Sequence, residues 1–308
     1  MQRMESEFIT WLRERLPPHP LLRLGLGDDA AVLDLARAPQ CVVTVDMLNE
    51  GVDFHLDAID PCRAGHKALG VNLSDLAAMA ARPLAVVVAL ALPRDGALSL
   101  AKQLYEGMLP LAERFNVALA GGDTNTWDGP LAISITALGQ VTEHGPLLRS
   151  GARPGDQILV TGAFGGSILG RHLDVQPRID EALHLHAQYT LHAGIDVSDG
   201  LALDLSRLVA ASSCGAVLDL ARVPIAPDAA RLAQHRDDGL SPLDHALGDG
   251  EDFELILALP PDAAARALAD QPLAVELTRI GEFVREPGLW QSTGQGELRP
   301  LPAVGYEH

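Results

Sequence analysis

The sequence predicts a mixed α and β fold in two domains, and three observations lead to this prediction. Apolar segments typical of strands alternate along the chain with Ala- and Leu-rich segments typical of helices. The length of 308 residues suits two domains, each large enough to bury a core. A Gly- and Pro-rich segment at residues 145–156 separates two strand patterns, so we predict domains at residues 1–145 and 146–308.

The individual elements are predicted from local patterns, in chain order. Residues 1–16 mix charged side chains with Phe8, Trp11 and Leu12, which predicts an amphipathic helix. Apolar runs rich in Val, Ala and Ile predict strands at residues 41–46, 85–92, 131–141, 157–161, 194–197 and 254–259. Periodic Ala- and Leu-rich segments predict helices at residues 64–82, 98–115, 201–212 and 261–269.

Charge and cysteine content exclude several classes of protein. The formal net charge of −18 repels nucleic acid and anionic membranes, so we expect neither as a partner. The longest apolar run, residues 84–92, is much shorter than the roughly 20 residues that a membrane-spanning helix needs. Three cysteines without a C-x-x-C pair argue against a disulfide framework and predict a reducing compartment, the cytoplasm.

Six short acidic segments carry the strongest chemical signal. In each of them Asp lies beside Gly or at the end of an apolar run, where the backbone can turn sharply and approach a ligand. These segments are residues 27–30, 44–46, 72–75, 121–124, 196–200 and 248–252. Carboxylates that converge from separate segments could hold Mg²⁺ ions around a polyphosphate. Because residues i and i+2 of a strand share a face, Thr44 and Asp46 could point together.

Each acidic segment also has a purely structural interpretation. Asp before a helix is usually an N-cap, and Asp75 and Asp199 fit this interpretation because an apolar helical pattern follows each. Residues 71–75 and 195–199 both read as a strand end followed by a helix start, a weak sign of an internal repeat. The Gly-rich residues 160–167 could cradle a phosphate, or form a capped tight turn.

Taken in order, these segments resemble the motifs of thiamine-monophosphate kinases over nearly the whole chain. The matching segments are GLGDDA at 25–30, KALGVNLSDLAAM at 67–79, GGDT at 121–124, RSGARPGD at 149–156, DVSDGL at 196–201 and GEDFEL at 250–255. The resemblance implies a two-domain fold shared with aminoimidazole ribonucleotide synthetase. In that fold the N-terminal domains bind ATP and metal and pair through their sheets in a homodimer, and the C-terminal domain is an α/β sandwich.

The resemblance also implies roles for residues at the matching positions. The implied magnesium ligands are Asp29, Thr44, Val45 through its backbone carbonyl, Asp46, Asp75, Asp123, Asp196 and Asp199. The implied ATP contacts are Gly122, Asp123, Arg149 and Ser198. The implied substrate contacts are Asp53, Glu251 and Tyr306. Catalysis would depend on Asp75, Asp123 and Asp196 acting through the metal, without a covalent nucleophile.

The implied activity is Mg²⁺-dependent transfer of the γ-phosphoryl group of ATP to thiamine monophosphate, with several Mg²⁺ ions. Asp53 stands where the family usually has His, and this difference leaves the identity of the acceptor open. One alternative is an enzyme of the same fold that acts on another small acceptor. Another is a nucleotide-binding homologue without turnover. The absence of Cys before Gly25 counts against the selenophosphate-forming branch of the fold.

Overall fold

A computed structural model describes residues 2–24, 32–36, 40–292 and 297–306. The chain divides into two compact units. The first comprises residues 1–76 and 81–143, and the second comprises residues 77–80 and 144–308. In the ranges described, no helix has both the length and the apolar character needed to cross a bilayer.

The first unit combines helices with a four-stranded sheet. Its helices are α1 (Gln2–Arg15), α2 (Pro61–Ala78) and α3 (Ala97–Arg114). Its strands are β1 (Leu22–Leu24), β2 (Val32–Leu33), β3 (Cys41–Asn49), β4 (Arg82–Pro93), β5 (Ala118–Trp127) and β6 (Ala132–Gln140). The sheet has the order β3-β6-β4-β5, and β4 and β5 are its parallel pair. Alternating residues such as Val86, Val88 and Leu90 of β4 are buried, so one face of the sheet faces the core.

Two glycines bring α2 and α3 into close backbone contact. A Cβ atom at Gly65 would lie 1.9 Å from the carbonyl oxygen of Leu104, and one at Gly107 would lie 1.8 Å from that of Cys62. Both obstacles are backbone atoms of the facing helix, so a side chain at either position would push the helices apart. The close crossing therefore requires glycine on both helices.

Gly107→Ala should consequently lower the free energy of unfolding by about 1–3 kcal/mol, the usual effect of overpacking a core. Gly121→Ala is the matched control, because a Cβ there would meet nothing within 4 Å. Denaturant unfolding of the two variants and the wild type measures the difference. A Gly107→Ala midpoint equal to that of the wild type would contradict the close helix crossing.

The opposite face of the four-stranded sheet exposes large apolar side chains on β3 and β4. Val43, Val45 and Met47 of β3 are 61%, 61% and 62% exposed, and Val87 of β4 is 42% exposed. The strand register aligns these side chains in rows across β6, with Val45 and Val87 both opposite Thr136. Exposed apolar side chains that are grouped on one face of a sheet often mark a protein–protein contact.

The second unit is built around a mixed sheet with the order β13-β12-β9-β11-β7-β10-β8 among the described residues. Its strands are β7 (Gln157–Thr161), β8 (Ala193–Asp196), β9 (Gly215–Leu218), β10 (Leu255–Leu259), β11 (Leu277–Val284), β12 (Gly288–Ser292) and β13 (Leu298–Pro300). Its helices are α4 (Ile179–Gln188), α5 (Leu201–Ser212), α6 (Pro227–His235), α7 (Pro242–Gly248) and α8 (Pro261–Asp270). The apolar face of α5 packs into the core with the buried strands β8 and β10.

The predicted mixed α and β class is confirmed, but two local predictions are wrong. Residues 71–75 are not a strand end followed by a helix start, because they lie inside α2. Asp75 is therefore in the last turn of that helix and cannot be its N-cap. Residues 121–124 lie within the strand β5 and not in a turn. Their Gly-rich and polar composition concealed this strand from pattern analysis.

Candidate active site

The first unit brings together three oxygen-bearing side chains that the sequence predicted as metal ligands. Thr44 and Asp46 lie two residues apart on the inward face of β3. Asp75 reaches them from the last turn of α2, and its carboxylate accepts a hydrogen bond from the Thr44 hydroxyl. A strand and a helix that are separated by the turn at residues 50–60 thus contribute to one cluster.

Electrostatic repulsion within this cluster is evident at Asp46. Burial raises the pKa of Asp46 to about 7, and the neighbouring charges of Asp75 and Asp53 contribute further to the rise. Burial and neighbouring negative charges both disfavour the ionised form of a carboxyl group. A divalent cation would reverse this effect by favouring the ionised carboxylates.

Asp53 has a clear structural role beside the cluster. Its carboxylate accepts a hydrogen bond from the backbone N–H of Asn49 at 2.6 Å, which closes the turn after β3. Its backbone carbonyl accepts a hydrogen bond at 2.9 Å from the ammonium group of Lys67, which is fully buried. Asp53 therefore anchors this turn and adds negative charge near Asp46, and its role as a substrate contact stays a prediction.

The donor set of this cluster fits a magnesium ion. Carboxylate and hydroxyl oxygens are the ligands that Mg²⁺ prefers, and Mg²⁺ usually completes its octahedron with water and substrate phosphate. The Val45 side chain lies on the exposed face of β3, so its backbone carbonyl is the group it could offer a cation. Among the described residues, no three His, Cys, Asp or Glu side chains already form a metal-binding group. Asp29 lies outside the described residues.

Asp123 is not brought to this cluster within the first unit. It lies on β5, at the far edge of the sheet from β3, about 14 Å away for three strand spacings of about 4.8 Å. The register aligns it with Ala89 and Ser134 on the exposed face, whereas Asp46 is aligned with Ile135 on the buried face. Asp123 and Asp46 therefore lie on opposite faces of the sheet within one chain, and the catalytic and ligand roles of Asp123 stay predictions.

Gly122, a predicted ATP contact, has a structural explanation of its own. A Cβ atom there would lie 1.9 Å from the carbonyl oxygen of Val88 on the neighbouring strand. Glycine at this position therefore permits the close pairing of β4 and β5. Its contact with ATP stays a prediction.

The second unit brings together predicted site residues from three distant segments. Asp196 is buried at the end of β8 and leads into the loop of residues 197–200. The carbonyl of Ser198 accepts a hydrogen bond from the N–H of Glu251 at 2.7 Å, and that of Asp199 accepts one from the N–H of Tyr306 at 2.8 Å. The loop thus connects the nucleotide, metal and substrate residues that the sequence proposed in this unit.

Asp199 does not cap the helix that follows it. Gly200 occupies the N-cap position of α5 without a side-chain hydrogen bond. The Asp199 carboxylate instead pairs with Arg207, one nitrogen of which also contacts Asp204. The capping interpretation of Asp199 is therefore wrong, and its role as a metal ligand stays a prediction.

The Gly-rich turn at residues 162–167 uses its amides within the protein. The N–H of Gly165 donates to the carboxylate of Asp252 at 2.9 Å, and the N–H of Gly166 donates to Asp249 at 2.8 Å. Asp252 is buried and also accepts a hydrogen bond from Arg171 at 2.7 Å. Since internal carboxylates occupy these donors, the capped turn is the better interpretation, and the phosphate cradle is disfavoured.

Arg149, the remaining predicted ATP contact, lies in an exposed loop of the second unit. Its backbone carbonyl accepts a hydrogen bond at 2.9 Å from the hydroxyl of Ser212, at the C-terminal end of α5. This contact ties the loop to α5. Its contact with ATP stays a prediction.

Comparison with known proteins identifies the family of this chain. The family model described as "AIR synthase related protein, N-terminal domain" matches residues 27–141, and the corresponding C-terminal domain model matches residues 147–289. A thiamine-monophosphate kinase of Rhodopirellula baltica is 44% identical over 312 residues, covering 99% of this chain and 97% of the relative. That of Escherichia coli K12 is 36% identical over 309 residues, covering 93% and 92%.

Solved structures of thiamine-monophosphate kinases are also similar to this chain. The crystal structure of thiamine-monophosphate kinase from Stenotrophomonas maltophilia K279a superimposes with a TM-score of 0.79 at 34% identity and covers 96% of each chain. A structure described as AaThiL complexed with AMPPCP and TMP gives 0.76 at 26% identity, covering 100% of this chain and 98% of that one. Escherichia coli HypE, at 20% identity and a TM-score of 0.79, shares the fold. This chain belongs to the thiamine-monophosphate kinase family and has its two-domain AIR synthase-like fold.

Proposed function

We propose that this protein transfers the γ-phosphoryl group of ATP to thiamine monophosphate, giving thiamine diphosphate and ADP. The observation that carries this proposal is the 44% identity to a thiamine-monophosphate kinase over 99% of the chain. A relative with the same fold has been solved with AMPPCP and TMP, a pairing that matches the two substrates proposed here.

The chemistry of the two residue clusters supports direct transfer. Phosphoryl transfer depends mainly on positioning and on neutralisation of charge, and it requires no covalent protein intermediate. Bound Mg²⁺ would supply charge neutralisation between the two anionic substrates. Thr44, Asp46 and Asp75 would hold it in the first unit. Asp196 and Asp199 would do so in the second, where Glu251 and Tyr306 are attached to the same loop.

A coupled assay of ADP release tests the proposed activity. Purified protein would be supplied with Mg-ATP and, in separate reactions, with thiamine monophosphate, thiamine or an aminoimidazole precursor. We expect turnover with thiamine monophosphate alone, and loss of that turnover after treatment with EDTA. Turnover with another acceptor would instead support a same-fold enzyme of different specificity. Tight Mg-ATP binding without any turnover would support a homologue that has lost catalysis.

We also propose that the protein is a homodimer that pairs through the exposed face of its four-stranded sheet. The apolar row of Val43, Val45 and Met47 is exposed to water in the monomer, and burial of this surface would favour association. Asp123 lies on the same face, so such a dimer would bring this predicted ATP contact to the interface.

The proposed cellular location is the cytoplasm, whose reducing conditions suit the three free thiols of Cys41, Cys62 and Cys214.

Val43→Glu should convert the dimer to a monomer, because a carboxylate would be buried in the centre of an apolar contact. Val52→Glu is the matched control, since Val52 is 66% exposed in the turn after β3 and outside the sheet. Sedimentation velocity at micromolar concentration measures the change. A Val43→Glu protein that remains dimeric, or a monomeric wild type, would disprove this interface.

A further inference from the structure

Asp204 is a buried carboxylate that none of the family motifs identified in the sequence includes. It lies in the first turns of α5 and is 1% exposed. One of its oxygens accepts hydrogen bonds from three consecutive backbone N–H groups, those of Ser198, Asp199 and Gly200, at 3.0, 2.9 and 3.1 Å. A single oxygen atom thereby fixes the backbone of the whole loop between β8 and α5.

The negative charge of Asp204 is balanced within the same network. Its second oxygen accepts a hydrogen bond from Arg207 at 2.6 Å, and the same guanidinium nitrogen contacts Asp199. The Arg207 side chain is 36% exposed and covers the buried carboxylate from the solvent side. Charge-assisted hydrogen bonds to backbone N–H groups are stronger than neutral ones, so the carboxylate holds the loop more firmly than a neutral cap would.

The loop held by Asp204 is the point at which the site of the second unit is assembled. The carbonyls of Ser198 and Asp199 face away from Asp204 and accept the N–H groups of Glu251 and Tyr306. Any rotation of this loop would therefore displace both predicted substrate segments together with the Asp199 carboxylate. Gly250 is packed against the loop as well, since a Cβ there would lie 2.8 Å from the Ser198 carbonyl oxygen.

We propose that Asp204 is a positioning residue for the reaction, which orients the loop of residues 198–200 and, through it, Asp199, Glu251 and Tyr306. This inference rests on the proposed function. Asp204 itself does not touch substrate. It acts through the backbone groups of the loop, and Arg207 keeps its charge compensated.

Asp204→Asn is the direct test. An amide oxygen carries no full charge, and the amide nitrogen would face either the loop N–H groups or Arg207, so the loop should loosen. We expect kcat to fall by about 10²-fold at temperatures well below unfolding, the scale of an ångström-level misplacement. Hydrogen exchange at the amides of residues 198–200 should accelerate by about 10-fold or more, in the absence of any substrate.

Glu254→Gln is the matched control. Glu254 is likewise buried in the second unit, and its carboxylate is hydrogen-bonded to Arg178 and the Thr161 hydroxyl. The N–H of Val197 donates to its backbone carbonyl, which the substitution keeps. Glu254→Gln should lower the melting temperature, as Asp204→Asn does. Its kcat should stay within about 2-fold of the wild type, and hydrogen exchange at residues 198–200 should be unchanged. If both variants lose kcat equally, or if Asp204→Asn keeps the kcat of the wild type, Asp204 is only a stabilising cap.

Arg207 variants keep the proposal testable if Asp204→Asn does not fold. Arg207→Lys preserves the charge and should retain most of kcat, whereas Arg207→Met should lower kcat by about 10-fold and accelerate loop exchange. Equal kcat for both Arg207 variants and the wild type would overturn the proposal. A wild type that does not phosphorylate thiamine monophosphate would disprove the proposed function. In that case, hydrogen exchange at residues 198–200 and the Kd for Mg-ATP would still decide whether Asp204 orders the loop.

Discussion

Asp75→Asn should lower kcat by at least about 10²-fold, the scale of a lost electrostatic contact to a developing charge. Asp75 lies at the C-terminal end of α2 and shares a hydrogen bond with Thr44 beside Asp46. Asparagine preserves the shape of the side chain and one oxygen, so the principal change is the loss of a negative charge that would hold the cation. Steady-state kinetics at saturating ATP and varied Mg²⁺ measure both the loss of kcat and the expected rise in the Mg²⁺ requirement.

Asp60→Asn provides a control at the opposite end of α2. Asp60 precedes α2 and accepts a hydrogen bond from the N–H of Cys62 at 2.9 Å, a capping role that Asn performs equally well. This variant should keep the activity and melting temperature of the wild type. Full activity of Asp75→Asn would mean that Asp75 serves only the local structure around Thr44, and the proposed metal cluster of the first unit would be wrong.

Asp46 should make the metal-free protein less stable as the pH rises from about 4 to about 7. Its pKa in the folded state is raised from 3.8 to about 7, mainly by burial and then by Asp75 and Asp53. In this pH window the unfolded chain has already released the proton that the folded state retains, so the free energy of unfolding falls with increasing pH. The difference of about 3 pKa units at about 1.4 kcal/mol per unit sets an upper limit of about 4 kcal/mol.

Denaturant unfolding of EDTA-treated protein between pH 4.5 and pH 8 measures this contribution. Asp46→Asn cannot ionise, so its stability should exceed that of the wild type at pH 8 and should decline less with increasing pH. Mg²⁺ should stabilise the wild type more than the variant, because the cation favours the ionised carboxylate. Asp57→Asn, at an exposed position of the same unit, should follow the wild-type curve. Parallel curves for the wild type and Asp46→Asn would contradict the raised pKa.

The family and the fold class could be predicted from local sequence because they depend on segments that are read in order. Segments such as GEDFEL at residues 250–255 identify the family without any knowledge of contacts, and the comparisons confirm it. Apolar runs such as the one that forms β10 likewise predict strands, since a fully buried strand is apolar throughout. The strand β5 was missed because its Gly-rich, polar segment follows no apolar alternation.

The site was only partly predictable. Thr44 and Asp46 could be paired from the two-residue spacing of a strand. Asp75 was implied only by the family resemblance, and the structure shows that it reaches Thr44 from a helix. The face on which Asp123 lies could not be predicted, because it depends on the register of β5, which contains a bulge between the partners of Val86 and Val87. One extra residue in a strand moves every following side chain to the other face.

The amino-acid sequence by itself determined the family, the oxygen-rich character of the donor set and the segments from which it comes. Those properties follow from residue identity and spacing along the chain. Only the tertiary structure decided which carboxylates lie near one another and which pair with an arginine, as Asp199 does with Arg207 and Asp252 with Arg171. It also revealed the role of Asp204, whose carboxylate accepts hydrogen bonds from three backbone N–H groups. A sequence does not show where backbone N–H groups point, so these contacts could not be predicted from it. The orientation of these N–H groups depends on the packing of α5 against β8, which no local sequence pattern predicts.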